Sequence, residues 1–170
     1  GFEEALSSTE AGNGGGLMLP YFGPEIVPKK SRPNVVRENL DATEPARNVR
    51  AVIEAQAISS VIHSRWMGVL ISSLYVTGGA SRNSAILQTY ADVHSCPVHR
   101  FETANSAGLG AALRANYSYR TQVESGVDWE AVVEPFTRPI PDSTILPRPG
   151  SGSVYGPLIE SYERLESKHV

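Results

Sequence analysis

Three things are scarce in this 170-residue sequence: cysteine, positive charge and long apolar runs. The single cysteine, Cys96, excludes an internal disulfide and a cysteine-rich zinc site, and it fits a reducing, cytoplasmic location. Fifteen basic residues against eighteen acidic ones leave a formal net charge of −3, which does not favour nucleic acid as a partner. No apolar run approaches the roughly 18–20 residues of a membrane helix. We therefore expect neither nucleic acid nor a membrane as a partner.

The four histidines are scattered along the chain without the spacing that metal ligands need. They are His63, His94, His99 and His169. We expect no metal site built on them.

The first forty residues carry weak structural signals. Residues 1–16 are loop-like, with a flexible glycine patch, "GNGGG", at 12–16. The apolar run "LMLPYF" at 17–22 is either a brief strand or a packed loop. Residues 23–40 are polar and rich in proline, which favours an extended surface connection.

A helix follows, and its start is well marked. Asp41 and Glu44 stand at the spacing of a capping box, and Pro45 falls in the first turn, where its missing N–H costs little. Apolar residues then recur at steps of three and four up to about Trp66, which predicts one buried stripe.

The middle of the chain alternates between strand and helix patterns. "LISSLYVT" at 70–77 predicts a buried strand, residues 83–94 a helix and "CPVHRFE" at 96–102 a second strand. Residues 105–116 predict a further helix with Ser106 as its N-cap. The order α–β–α–β–α is typical of a parallel α/β layer.

The remainder has less pattern. Residues 117–153 lose periodicity and predict a long irregular excursion, whereas 154–170 predict an amphipathic terminal helix. Two strands are fewer than the four to six of a usual open sheet. Either further strands lie in residues 1–30 or another segment supplies them, and we favour the second explanation.

The stretch "YVTGGASRNSAIL" at 75–87 carries the strongest chemical signal. Gly78 and Gly79 after a strand let the backbone approach a ligand, and the next helix offers free N–H groups to an anion. Asn83 presents a donor and an acceptor, which suits the edge of a purine. The alternative is a tight turn in which Asn83 only caps the helix.

The first functional interpretation, a short-chain dehydrogenase, fails. "VTGGAS" is similar to the opening of that family, but no Gly-x-Gly follows to receive a pyrophosphate. No tyrosine has a lysine four residues later, so the catalytic pair is also absent. The motif moreover stands after a long helix instead of at the start of a domain.

A second family fits more of the chain. Three stretches, 47–60, 75–101 and 105–115, contain motifs similar to "RAxxEG", "GGxSxN", "ADV", "PV" and "GAALxA", in that order. In these motifs the chain resembles the C-terminal domain of the FGGY carbohydrate kinases, and among them the xylulokinases. "LMLPYFGPEIVP" at 17–28 is similar to their "PYxxGERxP". Two departures are Pro24-Glu25 in place of "ER" and Ala55 in place of the glycine of "RAxxEG".

The resemblance implies an RNase H-like, actin-like ATPase fold of class α/β, incomplete at its N-terminal strands. Residues 1–116 would belong to the ATP-binding domain, 117–153 to an excursion of it and 154–170 to its last helix. The positions that would bind the nucleotide lie in the glycine turn, with residues 106–110 at the edge of the pocket. The turn residues are Gly78, Gly79 and Ala80 along the adenosine, Asn83 on the adenine and Ser81 assisting.

The resemblance also implies that catalysis lies elsewhere. In this family the catalytic aspartate, the phosphate loops, the Mg²⁺ ligands and most sugar contacts belong to the N-terminal half. We expect a solvated or capping role for each aspartate here: Asp41, Asp92, Asp128 and Asp142. Half of a cleft gives little rate enhancement, so this chain alone is expected to be inactive.

The resulting hypothesis is that the chain is the C-terminal part of a longer kinase. This kinase would depend on ATP and Mg²⁺ and convert D-xylulose to D-xylulose 5-phosphate. Its partners would be the N-terminal half and the sugar, with a homodimer as a further option. The alternatives are a non-catalytic module that keeps the fold, or an FGGY kinase for gluconate, glycerol, fuculose or rhamnulose.

Overall fold

A computed structural model describes residues 1–101 and 105–170 of the chain. Within these residues most of the secondary structure is helical, and the strands form two two-stranded sheets. The α-helices are α1 (Phe2–Ser7), α2 (Pro45–Ser64), α3 (Ser84–His94), α4 (Ser106–Val123), α5 (Trp129–Val133) and α6 (Ser151–His169). The strands are β1 (Leu17–Tyr21), β2 (Asn34–Glu38), β3 (Leu74–Val76) and β4 (Val98–Arg100).

The N-terminal forty residues are more ordered than the sequence pattern predicts. α1 replaces the predicted loop because Ala5 and Leu6 are buried, and α1 packs on α2. β2 lies inside the predicted surface connection and pairs antiparallel with β1, from Leu17 opposite Glu38 to Tyr21 opposite Asn34. The strand alternative for 17–22 is therefore correct, and the backbone hydrogen bonds of β1 explain why 34–38 is extended.

The predicted long helix is confirmed, although it begins later than the capping pattern indicates. Glu44 is the N-cap and Pro45 the first helical residue. Asp41 instead accepts hydrogen bonds from the N–H and hydroxyl of Thr43, each at 2.8 Å, and these donors lower the pKa of its carboxyl group. The Glu44 carboxylate accepts from the Asp41 N–H at 3.3 Å, which is one half of a capping box.

The central α/β alternation is also confirmed. β3 and β4 pair in parallel, and α3, which connects them, packs its Leu87 and Ala91 against Val98. Both strands are shorter than predicted, with three paired residues each. Glu102, the last residue of the predicted second strand, lies outside the described residues.

The main core joins β1, α2, α3 and α6. It explains the amphipathic pattern of α6, whose predicted apolar side points inward. The buried members are Leu17, Leu19, Tyr21, Ala55, Ala57, Ile58, Val93, Tyr155, Leu158, Tyr162 and Leu165.

A buried ion pair fastens the N-terminal segment to α2. Arg50 and Glu54 are 3% and 2% exposed, and Arg50 Nη1 lies 3.1 Å from Glu54 Oε1. The same guanidinium donates to the carbonyl oxygens of Leu6 and Thr9 and, through Nε, to the Thr9 hydroxyl. Arg50 therefore satisfies backbone acceptors that a buried loop would otherwise leave unpaired.

Glu54 extends this network to the last helix. Its Oε1 accepts from the Gly12 N–H at 2.8 Å and from the Tyr155 hydroxyl at 2.9 Å. Among the described residues no group donates to Oε2, and burial raises the pKa of Glu54 above its ordinary value. The "RAxxEG"-like motif thus ties three parts of the chain together.

The predicted irregular stretch is only partly irregular. α4 continues to Val123 and α5 follows, with Asp128 as its N-cap, as expected for that aspartate. Beyond them, residues 140–148 form a strap along the outer edge of β4. Ile145 and Val98 exchange both backbone hydrogen bonds at 2.9 Å, and Ile140 donates to Arg100 O at 2.8 Å. Main-chain pairing with β4, which has no sequence signature, explains this order.

The contact between α2 and α3 predicts a pH dependence of stability. His94 is half-buried, its Nε2 lies 2.8 Å from Ser60 Oγ, and burial lowers the pKa of its imidazole. The unfolded chain therefore takes up this proton first, so His94 contributes a loss of stability as the pH falls below about 6.5. We expect His94→Gln to flatten the dependence of the urea midpoint on pH between about 7.5 and 5.5. Equal slopes in both proteins would contradict this.

Candidate functional site

The glycine turn lies at the carboxyl end of β3. Gly78 has φ +85°, a conformation that side chains rarely adopt, and residues Gly79–Arg82 form a 3-10 turn. Ser81 is buried and its hydroxyl donates to Gly78 O at 2.7 Å, which holds the turn closed. Ser81 therefore supports the turn from within.

The turn presents open space on its outer side. A Cβ atom built on Gly78 or Gly79 would meet no heavy atom within 4 Å. Gly79 and Ala80 are exposed. The backbone here is thus accessible to a ligand, and close packing of the described chain does not explain the two glycines.

Asn83 caps α3, which confirms the capping interpretation of this residue. Its Oδ1 accepts from the N–H of Ala85 at 3.0 Å and of Ile86 at 3.1 Å. The cap uses the acceptor of the side chain, and the Nδ2 donor takes no part in it. A contact of Asn83 with a purine stays a prediction.

A cavity of about 170 Å³ adjoins the turn, between the end of β3 and α4. Thr77, which precedes Gly78, lies in its wall, and its Oγ1 is 3.0 Å from Ser106 Oγ. The lining residues are Thr77, Phe101, Ser106, Leu109, Gly110, Leu113, Phe136 and Thr137. Three of the residues predicted at 106–110 therefore share one cavity, but none of the five turn residues lines it.

The cap of α4 is Asn105, not Ser106 as the sequence predicts. Asn105 Oδ1 accepts from the Gly108 N–H at 2.9 Å, so the Ser106 hydroxyl is left to meet Thr77. Sequence reasoning also missed Phe136 and Thr137, because they come from a stretch without periodicity.

Asp92 corrects another expectation. Instead of being solvated or capping, it is 0% exposed and receives Arg148 from the strap. The Arg148 N–H donates to Oδ1 and Nε donates to Oδ2, each at 2.7 Å, and Gln88 Nε2 donates to Oδ1 at 3.0 Å. The signal available was the position of Asp92 between apolar neighbours on the inner side of α3.

Residues 1–101 and 105–170 contain neither a metal-binding cluster nor a membrane-spanning helix. No three or more side chains of His, Cys, Asp or Glu lie close enough there to hold a metal ion. No helix in the same ranges has the length and apolarity needed to cross a membrane.

Residues 2–119 match the family model described as the C-terminal domain of the FGGY family of carbohydrate kinases. The chain belongs to this family. The match contains the glycine turn, the Arg50–Glu54 pair and Asp92, so all three belong to the FGGY domain.

Among sequence relatives, the chain is 35% identical to a xylulose kinase of Rattus norvegicus over 173 aligned residues. The alignment covers 98% of the chain and 32% of that kinase. The chain therefore spans about a third of the length of the FGGY relatives it matches.

Solved structures confirm the predicted fold class. A ligand-bound xylulose kinase of Lactobacillus acidophilus superposes with a TM-score of 0.79 at 19% identity, over 98% of the chain and 34% of that protein. A gluconate kinase of the same organism gives 0.77, also at 19% identity, over 98% and 34%. The chain thus has the fold of the C-terminal part of an FGGY sugar kinase, an actin-like ATPase fold.

Proposed function

We propose that this chain is the nucleotide-binding C-terminal part of an ATP-dependent ketose kinase that phosphorylates D-xylulose to D-xylulose 5-phosphate. The observation that carries the proposal is the open glycine turn, where exposed backbone and a capped helix follow a parallel strand. Ligands of α/β proteins bind at this end of the strands. The match to a xylulose kinase over nearly the whole chain supports the choice of sugar.

Adenosine lies on the turn. Gly78, Gly79 and Ala80 contact it through the backbone, and Asn83 donates from Nδ2 to the purine while Oδ1 keeps its cap. Ser81 keeps the backbone in place through its bond to Gly78 O. Phosphoryl transfer depends on positioning and charge neutralisation, so this chain contributes by orienting ATP.

The sheet of this domain needs further strands, and a part of the kinase outside these 170 residues supplies them. The strap covers the outer edge of β4, whereas within the described residues no strand pairs with the outer edge of β3. Tyr75 on β3 is 55% exposed and Leu70, just before it, is 97% exposed. Further strands of the same domain pair along this edge. The N-terminal half of the kinase is the partner that supplies the catalytic base, the Mg²⁺ ligands and most sugar contacts, and the complete enzyme works in the cytoplasm.

Asn83 variants separate the cap from the purine contact. Asn83→Ala loses the cap and the purine contact. We expect the variant to be about 1 kcal/mol less stable. In the full-length protein it should have a higher KM for ATP, with the KM for sugar nearly unchanged. Asn83→Asp keeps a capping oxygen but lacks the Nδ2 donor, so it raises the KM for ATP without the loss of stability. If Asn83→Asp has the ATP dependence of the wild type, the purine contact is wrong.

The full-length protein tests the activity. With ATP and a panel of pentuloses, gluconate and polyols, we expect the highest kcat/KM for D-xylulose. A different preferred substrate would overturn the choice of sugar. Nucleotide binding without phosphorylation of any of them would favour a non-catalytic module.

A further inference from the structure

The strap is held to α3 by the ion pair between Asp92 and Arg148, and we call this pair the anchor of the strap. The buried Asp92 carboxylate accepts two hydrogen bonds on Oδ1 and one on Oδ2, and Arg148 Nη2 forms an ion pair with Oδ2 at 2.5 Å. Gln88 also donates to Leu146 O at 2.9 Å. A buried carboxylate that is hydrogen-bonded on both oxygens fixes its partners in one geometry, since each alternative leaves charge unpaired.

The strap leads from this anchor to the candidate site. From Arg148 it runs back along β4 through Ile145 and Ile140, both held by backbone hydrogen bonds. Phe136 and Thr137, a few residues before the strap, line the cavity next to the turn. Thr77, the residue before Gly78, lines the same cavity.

Asp92 is also connected to the turn through its own helix. It lies on α3, and the first residues of α3 are capped by Asn83 within the turn. The pair with Arg148 thus holds α3 and the strap together, and α3 begins directly after the turn.

We propose that Asp92 is a positioning residue for nucleotide binding, acting through Arg148 and the strap on the glycine turn. This inference rests on the proposed function. Asp92 does not contact the nucleotide. It fixes α3 to the strap, so that the turn is already in its binding conformation before ATP arrives.

The test uses the full-length protein with ADP as the probe. Asp92→Asn keeps the shape and one acceptor oxygen but removes the charge that pairs with Arg148. We expect the Kd for ADP, measured by calorimetry, to rise about fivefold. The KM for ATP rises with it while the KM for sugar stays the same, and the amides of Ile140 and Ile145 exchange hydrogen faster.

Matched variants distinguish positioning from general stability. Arg148→Gln, at a half-exposed side chain, should reproduce the effect, and Arg148→Lys should restore part of the affinity. Glu163→Gln breaks an exposed ion pair with Arg65 at 2.8 Å and lines no part of the turn, so it should leave ADP binding unchanged.

Either of two results would overturn this inference without affecting the proposed function. The first is faster exchange in the strap of Asp92→Asn with an unchanged Kd for ADP. The second is a rise of that Kd in Glu163→Gln equal to the rise in Asp92→Asn. A wild-type protein that binds no ADP would overturn the proposed function as well.

Discussion

Replacing Arg50 by methionine is expected to lower the free energy of unfolding by about 3–5 kcal/mol. The substitution leaves the Glu54 carboxylate buried without its cationic partner, and it removes the donors to Leu6 O and Thr9 O. Methionine fills much of the space, so loss of packing contributes little. Urea unfolding followed by circular dichroism measures the change.

A double-mutant cycle identifies the cause. Glu54→Gln keeps an acceptor for Gly12 and Tyr155 but carries no charge, so adding Arg50→Met in this background should cost markedly less. Arg65→Met, which breaks an exposed ion pair, is the control and should cost only a small fraction of the Arg50 effect. If Arg50→Met costs the same in the wild type and in the Glu54→Gln background, the buried charge is not the reason.

Gly79→Val has the second large expected effect, on binding. Because a Cβ at Gly79 meets no atom within 4 Å, the variant should fold normally. Its side chain would occupy the space proposed for adenosine and displace the nucleotide from the turn. We expect the Kd for ATP of the full-length protein to rise on the order of a hundredfold, more than for Asn83→Ala.

Gly156→Val is the matched control for this variant. Gly156 lies on α6, away from the turn, and a Cβ there likewise meets nothing within 4 Å. It should keep the ATP affinity of the wild type. Normal affinity in Gly79→Val would exclude the turn as the adenosine site.

The spacing of apolar residues predicted those helices and strands that bury one face. The stripe of α2, the α–β–α–β–α order and the apolar side of α6 were all visible, because each repeats at the period of its own secondary structure. α1 and β2 were missed, since their order comes from packing on α2 and pairing with β1.

The candidate site was also predicted in part. The glycine turn and the cap at Asn83 follow from local chemistry and were found. Phe136 and the Asp92–Arg148 pair depend on contacts between distant parts of the sequence, as the 56-residue separation of Asp92 and Arg148 illustrates. The N-cap of α4 was predicted at Ser106 and lies at Asn105, an error of only one residue.

The position of α6 in the core has a consequence for synthesis on the ribosome. Tyr21 on the first strand donates to Glu166 across 145 residues, and Tyr155 reaches Glu54 across 101. β1 and α2 therefore remain without these partners until α6 has left the exit tunnel, and until then we expect the nascent domain to expose apolar surface. A chain that stops before α6 would leave Tyr21 and Glu54 without these partners, so we expect it to be much less stable.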